Sequence, residues 1–369
     1  MSDIKRLLCI VSAMNTGGAE TFLMKLYRKL DKTKYQMDFC VNDLRKGFYD
    51  DEIKSLGGKM YVIPCKSNGL KAFKRGLSDV IKNNNYKYVM RITSNAMGFY
   101  DLKIAKRCGA SRCIVRSSNS SDGSGWKIKA VHLLGKFLFR RYVDVKIAPS
   151  DLAAKYTFGK KEYENGKVTI LHNAIDLNQY CFSMSERKRI RKEFNIAEDA
   201  LVIGHVGRFS IQKNHEFLID IFTDIHTLDK NAVLLLVGTG ELLEQVRYKV
   251  EKNLLQDKVI FCGVRKDIPQ LLSAMDVFLF PSFYEGMPNT VIEAQATGLP
   301  CIISDTITRE ANITGLIKYN SLNDSSKVWA KDAIKAASKL RVNTKDKYMQ
   351  VGYDIENVVK EFEKIIFEY

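Results

Sequence analysis

The sequence predicts an α/β protein made of two doubly wound domains. Three observations predict it. The chain has 369 residues, more than one ordinary core needs and enough for two. Short β-like runs alternate with helical stretches almost throughout, the pattern of parallel strands covered by helices on both faces. These runs also fall into two sets, parted by the polar stretch Ser183–Lys192 (SMSERKRIRK).

In the first set the runs are Leu7–Ser12, Met37–Val41, Lys59–Ile63, Tyr88–Ile92, Cys113–Arg116 and Val145–Ala148. In the second they are Leu201–Val206, Val233–Val237, Val259–Phe261, Val277–Phe280 and Pro300–Ile303. Leu171–Asp176 (LHNAID) reads as a strand end and a turn, and Ser183–Lys192 as the opening of a helix. The boundary is therefore expected near 175–190, giving domains 1–180 and 181–369. The last helix, about Ile355–Phe367, has Ile355, Val358, Val359, Phe362, Ile365 and Ile366 at helical spacing. That face needs a partner, and packing back on the first domain is expected.

Composition excludes several classes. With 46% hydrophobic and 27% charged residues the chain reads as globular. No apolar run approaches the roughly 18 residues of a bilayer span. The leading run Leu7–Val11 is too short for a signal-peptide core, so the expected place is the cytoplasm. Eight cysteines form no C-x-x-C pair and read as free, buried thiols. No histidines sit at metal-ligand spacing and no Asp-x-Asp occurs, so neither metal nor other cofactor is expected.

Charge is uneven. Residues 1–180 hold 33 Lys+Arg against 16 Asp+Glu, or +17, whereas 181–369 hold 25 against 26, or −1. A basic half calls for an anionic partner, either nucleic acid or a membrane surface. No helix-turn-helix, RNP or zinc pattern supports nucleic acid. The best membrane segment is Trp126–Tyr142 (WKIKAVHLLGKFLFRRY), where Ile128, Val131, Leu134, Leu138 and Tyr142 fall near one helical face and Lys127, Lys136, Arg140 and Arg141 add charge. The same pattern also suits a core helix with a solvated basic face.

Four segments carry candidate chemistry. In Phe280–Pro300 (FPSFYEGMPNTVIEAQATGLP) a strand runs into Glu285-Gly286-Met287-Pro288 and then into a helix with Glu293. Glu285 is expected at the loop tip and Glu293 two turns into the helix, both able to take hydroxyls of one extended ligand. Gly286 admits close backbone approach, and a helix N-terminus favours phosphate. Gly204–Phe209 is a strand ending in the turn Gly207-Arg208, with Lys213 five residues on. Two cations at that spacing suit a diphosphate. Asn15–Glu20, with Gly17-Gly18, and Val237–Leu242 are further glycine turns after strands. Neither meets G-x-G-x-x-G, so no dinucleotide fingerprint is present.

Together these segments resemble glycosyltransferase family 4, a retaining family with the GT-B fold, and most of all its bacterial capsule and exopolysaccharide members. The resemblance covers nearly the whole chain and is strongest from Gly204 to Trp329, including Asp276–Ser282, Glu293–Ala296 and Ile302–Thr308. It implies a donor cleft between the domains and transfer of a hexosyl or N-acetylhexosaminyl unit from a nucleotide-sugar, with UDP the expected nucleotide. The implied acceptor is a polyprenyl-diphosphate-linked saccharide at the anionic inner leaflet, and the implied location is peripheral there. Arg208, Lys213 and Glu285 would be catalytic, the two cations holding the diphosphate and Glu285 the donor sugar. Glu293 would bind the ribose. Gly17, Gly18, Gly207, Gly263, Val264, Gly286, Met287 and Pro288 would complete the donor site, Gly18 by letting its loop approach the phosphates. One departure stands out. Where relatives often carry histidines after the fourth and fifth strands, this chain has Arg91-Ile92-Thr93-Ser94 and Arg116-Ser117-Ser118-Asn119. A nucleic-acid-binding protein and a sugar-nucleotide epimerase on the same fold are the rival readings.

Overall fold

Leu7 and Cys9 pack into one apolar cluster while Leu8 and Ile10 pack into another, the alternation of a strand buried on both faces. The structure is a computed structural model that describes residues 4–118 and 126–368, without the side chains of 126–128. Among the described residues, β1 (Lys5–Ile10), β2 (Tyr35–Val41), β3 (Met60–Val62), β4 (Tyr88–Thr93), β5 (Arg112–Ser117), β6 (Val145–Ala148) and β7 (Thr169–Ile170) form one sheet. Its order is β3-β2-β1-β4-β5-β6-β7, and every pairing is parallel.

A second parallel sheet has the order β10-β9-β8-β11-β12-β13. Its strands are β8 (Val202–Val206), β9 (Val233–Val237), β10 (Val259–Gly263), β11 (Val277–Phe280), β12 (Cys301–Ser304) and β13 (Ile317–Asn320). Val277 and Leu279 face one core, Phe278 and Phe280 the other. Each such buried side chain contributes roughly 1.5–3 kcal/mol. The predicted α/β class of two doubly wound sheets is what the chain adopts.

The chain divides into two units, Met1–Ala174 with Tyr353–Tyr369, and Ile175–Gly352. The last helix, Ile355–Phe367, belongs to the first. Its Ile355, Val358, Val359, Phe362 and Ile366 join the cluster of Leu7, Leu26 and Tyr35. Asp354 caps its start by accepting the Asn357 amide. At its end, Arg112 donates to the Ile365 carbonyl at 2.7 Å and Lys5 to the Phe367 carbonyl at 2.9 Å, so cations meet the carbonyls that a helix leaves unbonded.

In both sheets the strand order reverses beside the first strand of the unit, between β1 and β4 and between β8 and β11. The loops leaving the carboxyl ends of such neighbours diverge and open a crevice. Two edge strands, β7 and β13, escaped the sequence reading. β7 is two residues long, and β13 is the half-polar Ile317-Lys318-Tyr319-Asn320. All eight cysteines are free, as the spacing indicated, but only Cys9, Cys40, Cys113 and Cys301 are buried; Cys65, Cys108 and Cys262 are partly buried and Cys181 is exposed.

The basic segment forms the helix Trp126–Phe139 and a turn Arg140–Tyr142. Its outward face carries Val131, Leu133, Leu134, Phe137 and Leu138, all exposed, Phe137 by 80%. His132 and Phe139 point inward. Lys136, expected among the surface cations, is instead half-buried and donates to the Tyr156 carbonyl at 2.8 Å, and burial pushes its pKa down. Nothing is described of the side chains of Lys127 and Ile128. Among the described residues, no helix is long and apolar enough to cross a membrane.

Candidate functional site

In the second unit, β8 ends at the Gly207 turn. The Gly207 amide donates to the Val237 carbonyl and the Gly238 amide to the Gly263 carbonyl, so the ends of β8, β9 and β10 are tied side by side. A Cβ at Gly238, whose φ is +136°, would lie 2.1 Å from the Gly207 carbonyl oxygen. These turns meet backbone to backbone, and only glycine at 238 permits it.

After Gly207 the chain makes a 3₁₀ turn, Ile211–Lys213, passes Asn214 in a left-handed conformation, and enters the helix His215–Leu228. This brings Lys213 beneath the loop that leaves β11. Lys213 Nζ lies 2.6 Å from Glu285 Oε1, with the two side chains only 16% and 11% exposed. The ammonium also sits 4.5 Å from the centre of the Phe280 ring. The loop is held by two further bonds: the Phe283 amide donates to the Gln212 carbonyl at 2.9 Å, and Gln212 Nε2 to the Tyr284 carbonyl at 2.8 Å.

Gly286, Met287 and Pro288 then lead into the helix Asn289–Ala296, with Pro288 at its cap. Glu293 is buried on this helix. It stands about one turn in, not two, because the helix starts at Asn289. Arg208 is 73% exposed and pairs with Glu241 at 3.1 Å. Gly263 ends β10 with φ +66°, and Val264 beside it is exposed. The structure therefore groups Lys213, Glu285 and the 286–288 turn closely, while Arg208 faces solvent.

Sequence reasoning missed what lies underneath. His205 and His215 are buried with ring centres 4.8 Å apart, and His215 stacks on Phe209. Desolvation, and then the nearby Lys213 charge, pushes the His215 pKa down to about 4. Burial holds His205 well below the ordinary histidine range. Both are neutral at pH 7, so they form an uncharged floor under Lys213 and do not compete with it for an anion. Their place inside Gly204–Phe209 and directly after Lys213-Asn214 was the available signal.

In the first unit a cavity of about 370 Å³ opens where β1 and β4 part, lined among others by Ser12, Glu20, Lys66, Arg91, Ser94 and Ser118. Arg91 and Lys66 both pair with the fully buried Asp101, at 3.2 and 2.5 Å. Both segments that stand where relatives carry histidine thus reach this cavity, through Arg91–Ser94 and Ser118. Arg116 does not line it. It is buried against the Phe22 ring, 3.7 Å from the centre, donates to Asn173 Oδ1 at 2.5 Å, and is pushed by burial down to about 9. Asn119 lies outside the described residues. Gly17 and Gly18 open the helix Gly18–Lys29. A Cβ at Gly17 would lie 2.2 Å from Glu20 Oε2, so the Glu20 carboxyl folds across this helix start. Among the described residues, no group of three or more His, Cys, Asp or Glu side chains is placed to hold a metal ion.

Comparison with known proteins places this geometry in context. The "Glycosyl transferases group 1" family profile matches residues 186–318, which include Arg208, Lys213, Glu285 and Glu293. EpsF of Bacillus subtilis (strain 168), a candidate glycosyltransferase, is 36% identical over 97% of this chain and 95% of its own. UDP-Gal:alpha-D-GlcNAc-diphosphoundecaprenol alpha-1,3-galactosyltransferase of Escherichia coli is 30% identical over 55% of this chain and 54% of its own. Among solved structures, Anabaena HepE in complex with UDP and glucose superposes with a TM-score of 0.71 at 18% identity, covering 96% of this chain and 94% of that one. WaaG, a glycosyltransferase of lipopolysaccharide biosynthesis, superposes with a TM-score of 0.69 at 15% identity, covering 99% of this chain and 100% of that one. At such identities the superpositions establish the shared GT-B fold.

Proposed function

The chain belongs to the group 1 glycosyltransferases, and from that premise we propose that it moves a sugar from a UDP-sugar to a lipid-linked saccharide with retention at the anomeric carbon. The observation that carries the donor assignment is the largely shielded Lys213–Glu285 pair, 16% and 11% exposed, at the β8/β11 reversal. Lys213 compensates the departing diphosphate, and its partner Glu285 takes a hydroxyl of the donor sugar. The turn at Gly286, Met287 and Pro288 lies beside that sugar, and Glu293 takes the ribose hydroxyls. Gly207 admits the phosphates close to the backbone, while Gly263 and Val264 edge the base. Arg208 joins by exchanging Glu241 for phosphate, a small cost because an exposed ion pair contributes only about 0–1 kcal/mol. The phosphate approach expected at Gly18 would put an anion where Glu20 lies, and we give that place to Glu20.

UDP is favoured because the E. coli relative is named for UDP-Gal and HepE has been solved with UDP-glucose. The diphosphoundecaprenol acceptor in the same E. coli name supports a lipid-linked acceptor here. The leaving phosphate can accept the proton of the acceptor hydroxyl, so the reading calls on no histidine base. Two cations at the diphosphate supply the charge that a divalent ion would bring, and the reading therefore includes no metal. Calorimetric titration should show UDP binding at least tenfold tighter than GDP, unchanged by EDTA. Tighter GDP binding would overturn the base assignment. Binding or UDP release that needs added magnesium or manganese would overturn the metal-free one.

We place the enzyme at the cytoplasmic face of the membrane, held by the helix Trp126–Phe139. Five exposed apolar side chains lie on it, flanked by the exposed Arg140 and Arg141. Apolar insertion and cation attraction act together on such a surface. Lys136 is left out, since it is committed to Tyr156. Vesicles containing phosphatidylglycerol should bind the protein, with binding falling about tenfold or more in Leu133→Asp/Phe137→Asp and weakening with salt. Equal binding to neutral vesicles, or no effect of the double variant, would defeat the placement.

A further inference from the structure

We propose that Glu241 is a positioning residue that speeds the release of UDP, by taking Arg208 back from the diphosphate after transfer. This rests on the donor reading of Arg208 given above. It gives a role to the turn Thr239-Gly240-Glu241, which that reading leaves without one.

The pairing of the two residues is built by the backbone. The Phe209 amide donates to the Thr239 carbonyl at 3.0 Å, and the Leu242 amide to the Phe209 carbonyl at 3.1 Å. A Cβ at Gly240 would lie 2.3 Å from that same Phe209 oxygen, so the two turns touch there as closely as they do at Gly238. Phe209 is itself fully buried and stacked on His215 at 4.2 Å. Arg208 and Glu241 are thus carried on backbone pinned side by side, yet their heads meet in solvent. Arg208 Nη2 lies 3.1 Å from Glu241 Oε2, with the side chains 73% and 52% exposed. Among the described residues neither forms another ion pair.

A pinned but wet ion pair is suited to exchange. Its attraction is screened and small, so a diphosphate displaces Glu241 readily. Glu241 stays within reach and displaces the diphosphate in turn. Lys213 is the contrast. Its pair with Glu285 is only 16% and 11% exposed, and a shielded cation makes the lasting contact. Lys213 therefore stays with the ligand, while Arg208 comes and goes.

Release is the step that gains from this. Transfer breaks the bond between the anomeric carbon and the terminal phosphate oxygen. That oxygen keeps the electron pair and takes the proton of the acceptor hydroxyl, while the acceptor oxygen bonds the carbon. The new phosphate hydroxyl ionises with a pKa of about 6. At neutral pH the departing UDP thus carries more negative charge than the donor did, and the same two cations hold it harder. A carboxylate that competes for one of them loosens the grip on donor and product alike. Such uniform weakening lowers donor affinity but shortens the stay of the product, whose departure limits many enzymes.

The test uses the full chain and UDP. Glu241→Gln, which keeps the shape and removes the charge, should bind UDP about two- to fivefold tighter by calorimetry, the range that an exposed pair can supply. Phosphorus NMR line shapes should place the gain in slower dissociation. The gain should fade at high salt, which screens the pair. In an Arg208→Gln background, where UDP binds more weakly, the same substitution should change nothing. Unaltered or weaker UDP binding by Glu241→Gln, a gain confined to faster association, or a gain that survives high salt would overturn the proposal. So would an equal gain in Arg208→Gln, the mark of plain repulsion between Glu241 and the diphosphate. If Arg208→Gln binds UDP as tightly as the unaltered protein, the donor reading of Arg208 falls, and the role of Glu241 falls with it.

Discussion

Lys213→Ala should lower turnover by about 100- to 1000-fold, the loss typical when a group that stabilises developing charge is removed. It should also destabilise the second unit by on the order of 3 kcal/mol, because Glu285, 11% exposed, is left without its cation. The two effects separate in the double variant Lys213→Met/Glu285→Gln. That change removes both charges and keeps the volume, so stability should return while turnover stays low. If Lys213 only propped the loop, the double variant would recover activity with its melting temperature. Turnover of Lys213→Ala within threefold of the unaltered enzyme would remove Lys213 from the diphosphate.

The second large effect concerns stability alone. Asp276 precedes β11 and accepts from Arg187 at 2.7 Å, Arg191 at 2.8 Å and the Val202 amide at 2.7 Å. Arg341 lies in the same region, donating to the carbonyls of Leu272, Met275 and Thr297. Burial pushes Arg341 down to about 10 and lowers Arg191 as well. Asp276→Ala would leave several guanidinium groups around an absent counter-charge. The expected cost is about 3–5 kcal/mol, or a fall on the order of 10 °C in melting temperature for a unit of this size. Asp276→Asn, which keeps an acceptor for Val202, should cost less. Differential scanning calorimetry reads both, and a shift under about 2 °C for Asp276→Ala would show that water reaches and screens the cluster.

Much of this fold was legible in the sequence because parallel strands buried on both faces are apolar throughout. Val233–Val237 and Val277–Phe280 could be marked to the residue. β7 and β13 could not, since edge strands bond on one side only and tolerate residues such as Lys318 and Asn320. The grouping of Lys213 with Glu285 was legible only as residue types. Their 2.6 Å pairing depends on how the Gln212 and Phe283 backbones meet, which no local pattern encodes. A helical wheel placed Val131, Leu134 and Leu138 together but could not tell which face turns inward. Hence Lys136 was counted with the surface cations, and Phe137 was passed over. The helix start at Asn289 likewise moved Glu293 by a turn, because Pro288 sets the beginning later than apolar periodicity suggests.

The return of Ile355–Phe367 to the first unit bears on how the protein is made. The second unit is an insert in the first, entered after Ala174 and left before Tyr353. On the ribosome, the earlier strands emerge with Leu7, Leu26 and Tyr35 lacking the helix that later covers them. They must wait through the synthesis of an entire second unit, roughly 10–40 s at ordinary elongation rates. Within that interval the apolar face of the first unit is a natural client for a chaperone. Synthesis halted before residue 353 yields a second unit with its full sheet beside a first unit still missing part of its core. Ribosome-bound chains of increasing length should therefore resist protease in the second unit earlier than in the first, reversing the order in which the two are translated.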